Sequence, residues 1–234
     1  MTDALNYELN DGVAVLTLDD GKANALSPDV LHALTDAIAR AEGEAKALAV
    51  FGRPGKFCAG FDLKVMMSSP QAAQDLVKQG ASVFLGRSES SLPVVLGCTG
   101  HAIAGGALLL LTGDTRIGVQ GPFKIGLNET SIGMQLPILG QELGRDRLDP
   151  RQLTAAIVQA KLYSPEGAVD AGYLDAAVAP DALVSSVLAE AKRLGAIPNA
   201  AYAGTKKQLR SRTIAYIRET LDWDITRLTS PTPV

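Results

Sequence analysis

At 234 residues, 47% of them apolar, the chain can bury one sizeable core but is too short for two ordinary domains. Its net charge of -3, with 20% charged residues of both signs scattered along it, gives no field for nucleic acid or an anionic membrane surface. The opening MTDALNYELNDG is acidic and lacks a secretory apolar stretch, and the longest apolar run, Ala102 to Leu111, is about half of the roughly 20 residues that span a bilayer. A cytoplasmic protein with no nucleic-acid or membrane partner is expected.

Val13, Val15 and Thr17 alternate with Ala14, Leu16 and Leu18, and because both sets are largely apolar the spacing predicts a strand covered on both faces. Ser27 can cap, and Pro28 can open, a helix that runs to about Arg40, with His32 off its apolar stripe and so in solvent. Ala47 to Phe51 reads as a buried strand ended by Gly52-Arg53-Pro54-Gly55, followed by a helix from Gln71 to about Leu85. Val94 to Cys98, Gly105 to Thr112 and Thr115 to Val119 read as strand, short apolar helix and strand. The alternation argues an α/β fold. Beyond about Pro150 the strands largely stop: Leu183, Val184, Val187, Leu188, Ala191 and Leu194 share one helical face, and a basic helix is predicted from Thr205 to about Leu228. The tail from Ser230 to Val234 is expected to be disordered. Cys58 and Cys98 are too few for a disulfide framework and lack neighbours at metal-ligand spacing, so both read as reduced and structural, and no metal site is expected.

Three segments carry chemistry. Gly55 to Lys64, GKFCAGFDLK, places small residues and a glycine between a strand and a helix, where backbone N–H groups can face a ligand, although an ordinary connecting loop has the same composition. Gly100 to Leu108, GHAIAGGAL, brings glycines to a helix start, suited to negative charge or simply to close packing. Its spacing is not that of a dinucleotide loop. Phe123 to Met134, FKIGLNETSIGM, sets the single carboxylate of Glu129 among apolar residues, where burial would raise its pKa into a useful range; an Asn-Glu helix cap is the plainer reading.

Together and in this order the segments resemble the crotonase (enoyl-CoA hydratase/isomerase) superfamily. FCAGFDLK looks like its first oxyanion loop, GHAIAGGALL like its second, IGLNETSIGM like its glutamate segment, and Lys22 to Ser27, KANALS, like its opening motif. The resemblance covers roughly residues 5 to 200. It implies a crotonase (ClpP-like) fold of repeated ββα units, with a core domain over 1–196 and a short helical segment, 197–234, that contacts other subunits in a homotrimer or dimer of trimers. It further implies that the N–H groups of Phe61 and Gly105 hold a thioester oxygen and that Glu129 moves protons. Ala23, Ala25, Lys56, Ala59 and Lys64 would contact coenzyme A, which arrives as part of the acyl-CoA substrate rather than as a permanently bound cofactor; for the two lysines, ordinary surface charge is the alternative.

Hydratases of this family place a first glutamate three residues after the second oxyanion glycine, and here that residue is Leu108. The run resembles instead the mitochondrial-type Δ3-Δ2-enoyl-CoA isomerases, in which one base suffices. The expectation is therefore an isomerase of fatty acid metabolism. The alternatives are a hydratase or acyl-CoA hydrolase of the same superfamily, using a second polar group such as Asp62, and a non-catalytic acyl-CoA-binding subunit. Lys206, Lys207 and Arg210 would either supply positive charge to the adenine pocket or form a solvated helix face. Met66, Met67, Phe84, Met134 and Leu136 are candidates for the wall of the acyl channel.

Overall fold

The computed structural model describes residues 4–228, so the expectation for the tail from Ser230 lies outside the described residues. A hairpin opens the chain, β1 (Leu5–Asn10) and β2 (Val13–Leu18), joined by Asp11 and Gly12 at φ 51° and 80°. Left-handed Asp-Gly is a two-residue hairpin signal. β3 (Ala25–Leu26), α1 (Pro28–Glu44), β4 (Ala47–Phe51), β5 (Gly55–Cys58), β6 (Gly60–Phe61), α2 (Leu63–Met66) and α3 (Pro70–Glu89) follow. Next come β7 (Val94–Cys98), β8 (Gly100–Ile103), α4 (Gly105–Leu111), β9 (Thr115–Val119), β10 (Ile125–Gly126), α5 (Ile138–Arg147), α6 (Pro165–Ala171), β11 (Ala176–Val178), α7 (Leu183–Gly195) and α8 (Asn199–Ile225). Serine caps appear where the chain offers Ser-Pro: Ser27, Ser69 and Ser164 each accept a first-turn N–H of α1, α3 and α6.

The main sheet has the order β1-β2-β4-β7-β9-β11, antiparallel only between β1 and β2. A smaller parallel sheet, β10-β8-β5, and the pair β3-β6 stand beside it. A long strand, a short strand and a helix therefore repeat along the chain, the ββα unit of the crotonase fold.

Alternation along the buried strands explains why both residue sets of β2 and β4 are apolar. Val13, Ala47, Ala49, Phe51 and Val95 pack under Leu183, Val187, Ala191 and Leu194 of α7, while Ala14, Leu16, Leu48, Val50 and Leu96 face the larger core against α1, α3 and α4. β11 is an exception to the expectation that strands largely stop after Pro150: it adds a sixth strand beside β9. α8 begins earlier than predicted, at Asn199.

The basic face of α8 differs from both expectations. Lys206 and Arg210, one turn apart, point inward and pair with Asp114 at 2.7 and 2.8 Å. Asp114 also accepts from Val94 N–H, so these cations anchor α8 beyond the far end of α4 and supply neither a solvated face nor a ligand pocket; Lys207 alone of the three is exposed. Both cysteines are free and buried, and His32 is in solvent. Among the described residues no helix is long and apolar enough to cross a membrane.

Candidate active site

Glu129 starts a single helical turn, Glu129–Ile132, immediately after β10. β10 is held from two sides: Ala102 of β8 stands opposite Ile125 in the parallel register, and Ile125 exchanges both backbone hydrogen bonds with Tyr163. Gly126 at φ 151° lets the chain pass Lys161, whose carbonyl oxygen would stand 2.9 Å from any Cβ there. Gly133, at φ 75°, ends the turn. The Glu129 side chain is buried and one carboxylate oxygen has no hydrogen-bond partner. Burial pushes its pKa up to about 7, against the smaller opposing pull of its own N–H and that of Asn128.

The entry to α4 stands across from it. Ala104 adopts φ 52° and ψ -125°, a strained conformation for a residue with a Cβ, and its N–H donates to Gly126 O at 3.0 Å, which ties this turn to the Glu129 strand. The turn leaves Gly105 in the first helical position, where an N–H has no partner within the helix. A Cβ at Gly106 would lie 2.0 Å from Cys58 O, and one at Gly60 would lie 3.0 Å from Gly105 N, so the two glycine segments meet backbone to backbone. In the β3-β6 pair Asp62 N–H donates to Leu26 O. Successive strand N–H groups point to opposite sides, so that of Phe61 faces away from β3.

Between these segments lies a cavity of about 230 Å3. Phe61, Gly105, Leu108, Asn128 and Glu129 line it, with Ala59, Met66, Met134 and Leu139 among its apolar walls. Among the described residues of this lining, Glu129 is the one carboxylate and Asn128 the one other polar side chain. Leu108, in the first turn of α4, presents a hydrocarbon surface. Asp62, the candidate second acid, instead caps α2 by accepting from Lys64 N–H at 2.8 Å, and it lies outside the cavity.

Of the wall candidates, Met66 and Met134 line the cavity. Met67 is 66% exposed, Phe84 is buried behind Phe61, and Leu136 packs one layer back, near Leu108 and Gly140. Ala23, Ala25 and Lys64 line a separate open cleft of about 660 Å3 together with Lys22 and the acidic Asp19, Asp20 and Asp62. Ala59 N–H donates to Ala23 O at 3.1 Å, so cleft and cavity share an edge. Lys56 is exposed on β5, outside both linings.

Three contributors were not singled out in the sequence as site residues. Asn24, at φ 54°, donates through its amide to Leu18 O, Lys56 O and Phe57 O and so fastens the KANALS segment to β5. Asn128, read from the sequence only as part of a possible Asn-Glu cap, makes no side-chain cap and leaves its carbonyl oxygen buried without a partner. Asp224, near the end of α8, accepts from the N–H groups of Ile138 and Leu139 and caps α5 from a distance, close to Leu228, which closes one side of the cavity. Asparagine's tolerance of left-handed backbone was the available signal for Asn24; the other two depend on contacts far apart in sequence.

The family profile described as enoyl-CoA hydratase/isomerase matches residues 8–232. Human mitochondrial enoyl-CoA delta isomerase 1 is 30% identical over 94% of this chain and 74% of its own length. The structure of an enoyl-CoA hydratase/isomerase family protein from Pseudomonas syringae superimposes with a TM-score of 0.95 at 42% identity, covering 97% of this chain and 99% of that one. The apo structure of an enoyl-CoA isomerase from Mycobacterium tuberculosis does so with a TM-score of 0.92 at 35% identity, covering 97% and 100%. Other relatives carry the name hydratase.

Proposed function

The chain belongs to the enoyl-CoA hydratase/isomerase family, and from that premise we propose that it is a Δ3-Δ2-enoyl-CoA isomerase in which Glu129 alone moves the proton. In this reading the thioester oxygen rests between the N–H groups of Phe61 and Gly105. Ionised Glu129 takes a proton from C2, the resulting dienolate spreads its charge onto that oxygen, and the same carboxylic acid returns the proton at C4. Fixed donors aimed at a developing oxyanion contribute about 10²–10³ in rate each. The step moves a proton only, so it calls on no bound cofactor beyond the coenzyme A of the substrate. Ala23, Ala25 and Ala59 would border the coenzyme along the shared edge of cleft and cavity, with Lys56 and Lys64 near its phosphates.

The observation that carries the reading is the makeup of the cavity: one carboxylate, with Leu108 where a second would be needed to hold water. The human relative named an isomerase supports it, whereas the Mycobacterium tuberculosis protein carries both names, isomerase and hydratase. Hydration or thioester hydrolysis is the second reading, favoured only by the unpartnered Asn128 oxygen, which could hold a water. Supplying 3-enoyl-CoA and following the conjugated 2-enoyl product decides between them. We expect isomerisation far faster than hydration of 2-enoyl-CoA, and a loss of about 10²–10⁴ in Glu129→Gln. Hydration at a comparable rate, or isomerisation indifferent to that substitution, would overturn the proposal. The homotrimer, or dimer of trimers, is proposed with it: Leu209, Tyr216 and Trp223 are exposed at seven-residue intervals along one face of α8, an apolar stripe suited to a neighbouring subunit.

A further inference from the structure

The ring of Phe61 occupies a position of its own, apart from the N–H. It lies along the cavity, 6.0 Å from Phe84 between ring centroids, and is flanked by two glycines on different helices. A Cβ at Gly105 would stand 3.2 Å from Phe61 Cδ2. A Cβ at Gly80, on the buried face of α3, would stand 2.3 Å from Cε1 and 2.5 Å from Cζ, an overlap the ring could relieve only by moving. Gly80 thus leaves a notch in α3 that receives the tip of the ring. Glycine inside a helix weakens it relative to alanine, so room for the ring is what this position gains from lacking a Cβ.

We propose that Gly80 and Phe61 together set the length of acyl chain the cavity accepts. This rests on the acyl-CoA reading of the site. With its tip in the notch, the ring leaves the cavity bounded by Val77 of α3 and Leu108 of α4 clear for an alkyl chain. Phe84 blocks retreat behind the ring and Gly105 flanks it, so a ring displaced from the notch turns into the cavity and shortens it. Removing the ring has the opposite effect and extends the cavity to Gly80 and Phe84.

The test compares hexenoyl and decenoyl substrates, and the binding of saturated hexanoyl- and decanoyl-CoA by calorimetry, in wild type, Gly80→Ala, Phe61→Ala and the double variant. Gly80→Ala should lower the decenoyl to hexenoyl ratio of kcat/KM by about tenfold or more, the scale on which apolar pockets sort methylenes. Phe61→Ala should shift preference toward the longer chain, and in that background Gly80→Ala should have no further effect, a non-additivity that general weakening of α3 would not produce. If Gly80→Ala does not fold, Phe61→Ala and Phe61→Leu must still shift the preference toward longer chains. An unchanged length preference in the folded variants overturns the inference and leaves the isomerase reading standing. The expected shifts in binding without any turnover overturn the isomerase reading alone, and failure to bind any acyl-CoA overturns both.

Discussion

The chemistry proposed for Glu129 depends on a carboxylate kept out of water, and that environment has two consequences that can be measured separately. Burial raises its pKa from 4.5 to about 7, so kcat/KM should climb with pH as the base ionises, level off above about 7, and show no falling limb from a second carboxyl group. A folded-state pKa above the unfolded one means that between about 4.5 and 7 the folded chain binds more protons than the unfolded chain. Stability therefore falls as pH rises through that window, by about 3 kcal/mol in all. Glu129→Gln, which cannot ionise, should be more stable than wild type at pH 8 by up to about that amount and lose the advantage at pH 4, as read by urea unfolding; no pH-dependent difference would mean that the carboxylate is solvated. The sequence marked Glu129 because a lone acid among glycines and apolar residues is conspicuous. It did not mark Gly80, which is singled out by a ring from a distant part of the chain, and it offered Asn128 only as a cap, since the burial of its side-chain oxygen depends on the fold.

Elements with a strong local signal were legible. The Ser-Pro helix start and the all-apolar runs of β4 and β7 were read nearly to the residue, because caps and continuous burial leave their mark in consecutive positions. β1 was missed although its Asp-Gly turn was visible, and two-residue strands such as β3, β6 and β10 have too few positions for any period to register. The error over α8 is more instructive. Basic residues on a helix ordinarily signal a wet face, yet Lys206 and Arg210 converge on Asp114, a residue roughly ninety positions earlier that sequence alone does not bring near. Removing one partner of a buried ion pair leaves the others uncompensated, so Asp114→Asn should cost about 3–5 kcal/mol in denaturant unfolding and loosen α8; a change within about 0.5 kcal/mol would show that the cluster is solvated.

At the scale of the molecule, the ββα repeat turns a sequence of modest strands into a scaffold in which two glycine segments and one glutamate segment meet around an apolar cavity. That meeting was foreseen from three motifs in their order, whereas the closing of the cavity by Leu228, with Asp224 capping α5 beside it, depends on how α8 folds back and had no sequence signature. A lone acid in a largely apolar chamber permits what a two-base arrangement does not: the proton removed can be the proton returned. The direct test is a single turnover of 3-enoyl-CoA carrying deuterium at C2, run in ordinary water, with the product analysed for label at C4. The account predicts that a substantial fraction of the 2-enoyl product carries deuterium at C4; product with only solvent hydrogen there, even in the first turnover, would mean that the proton leaves for water or a second carrier between the two steps and would contradict direct return by Glu129.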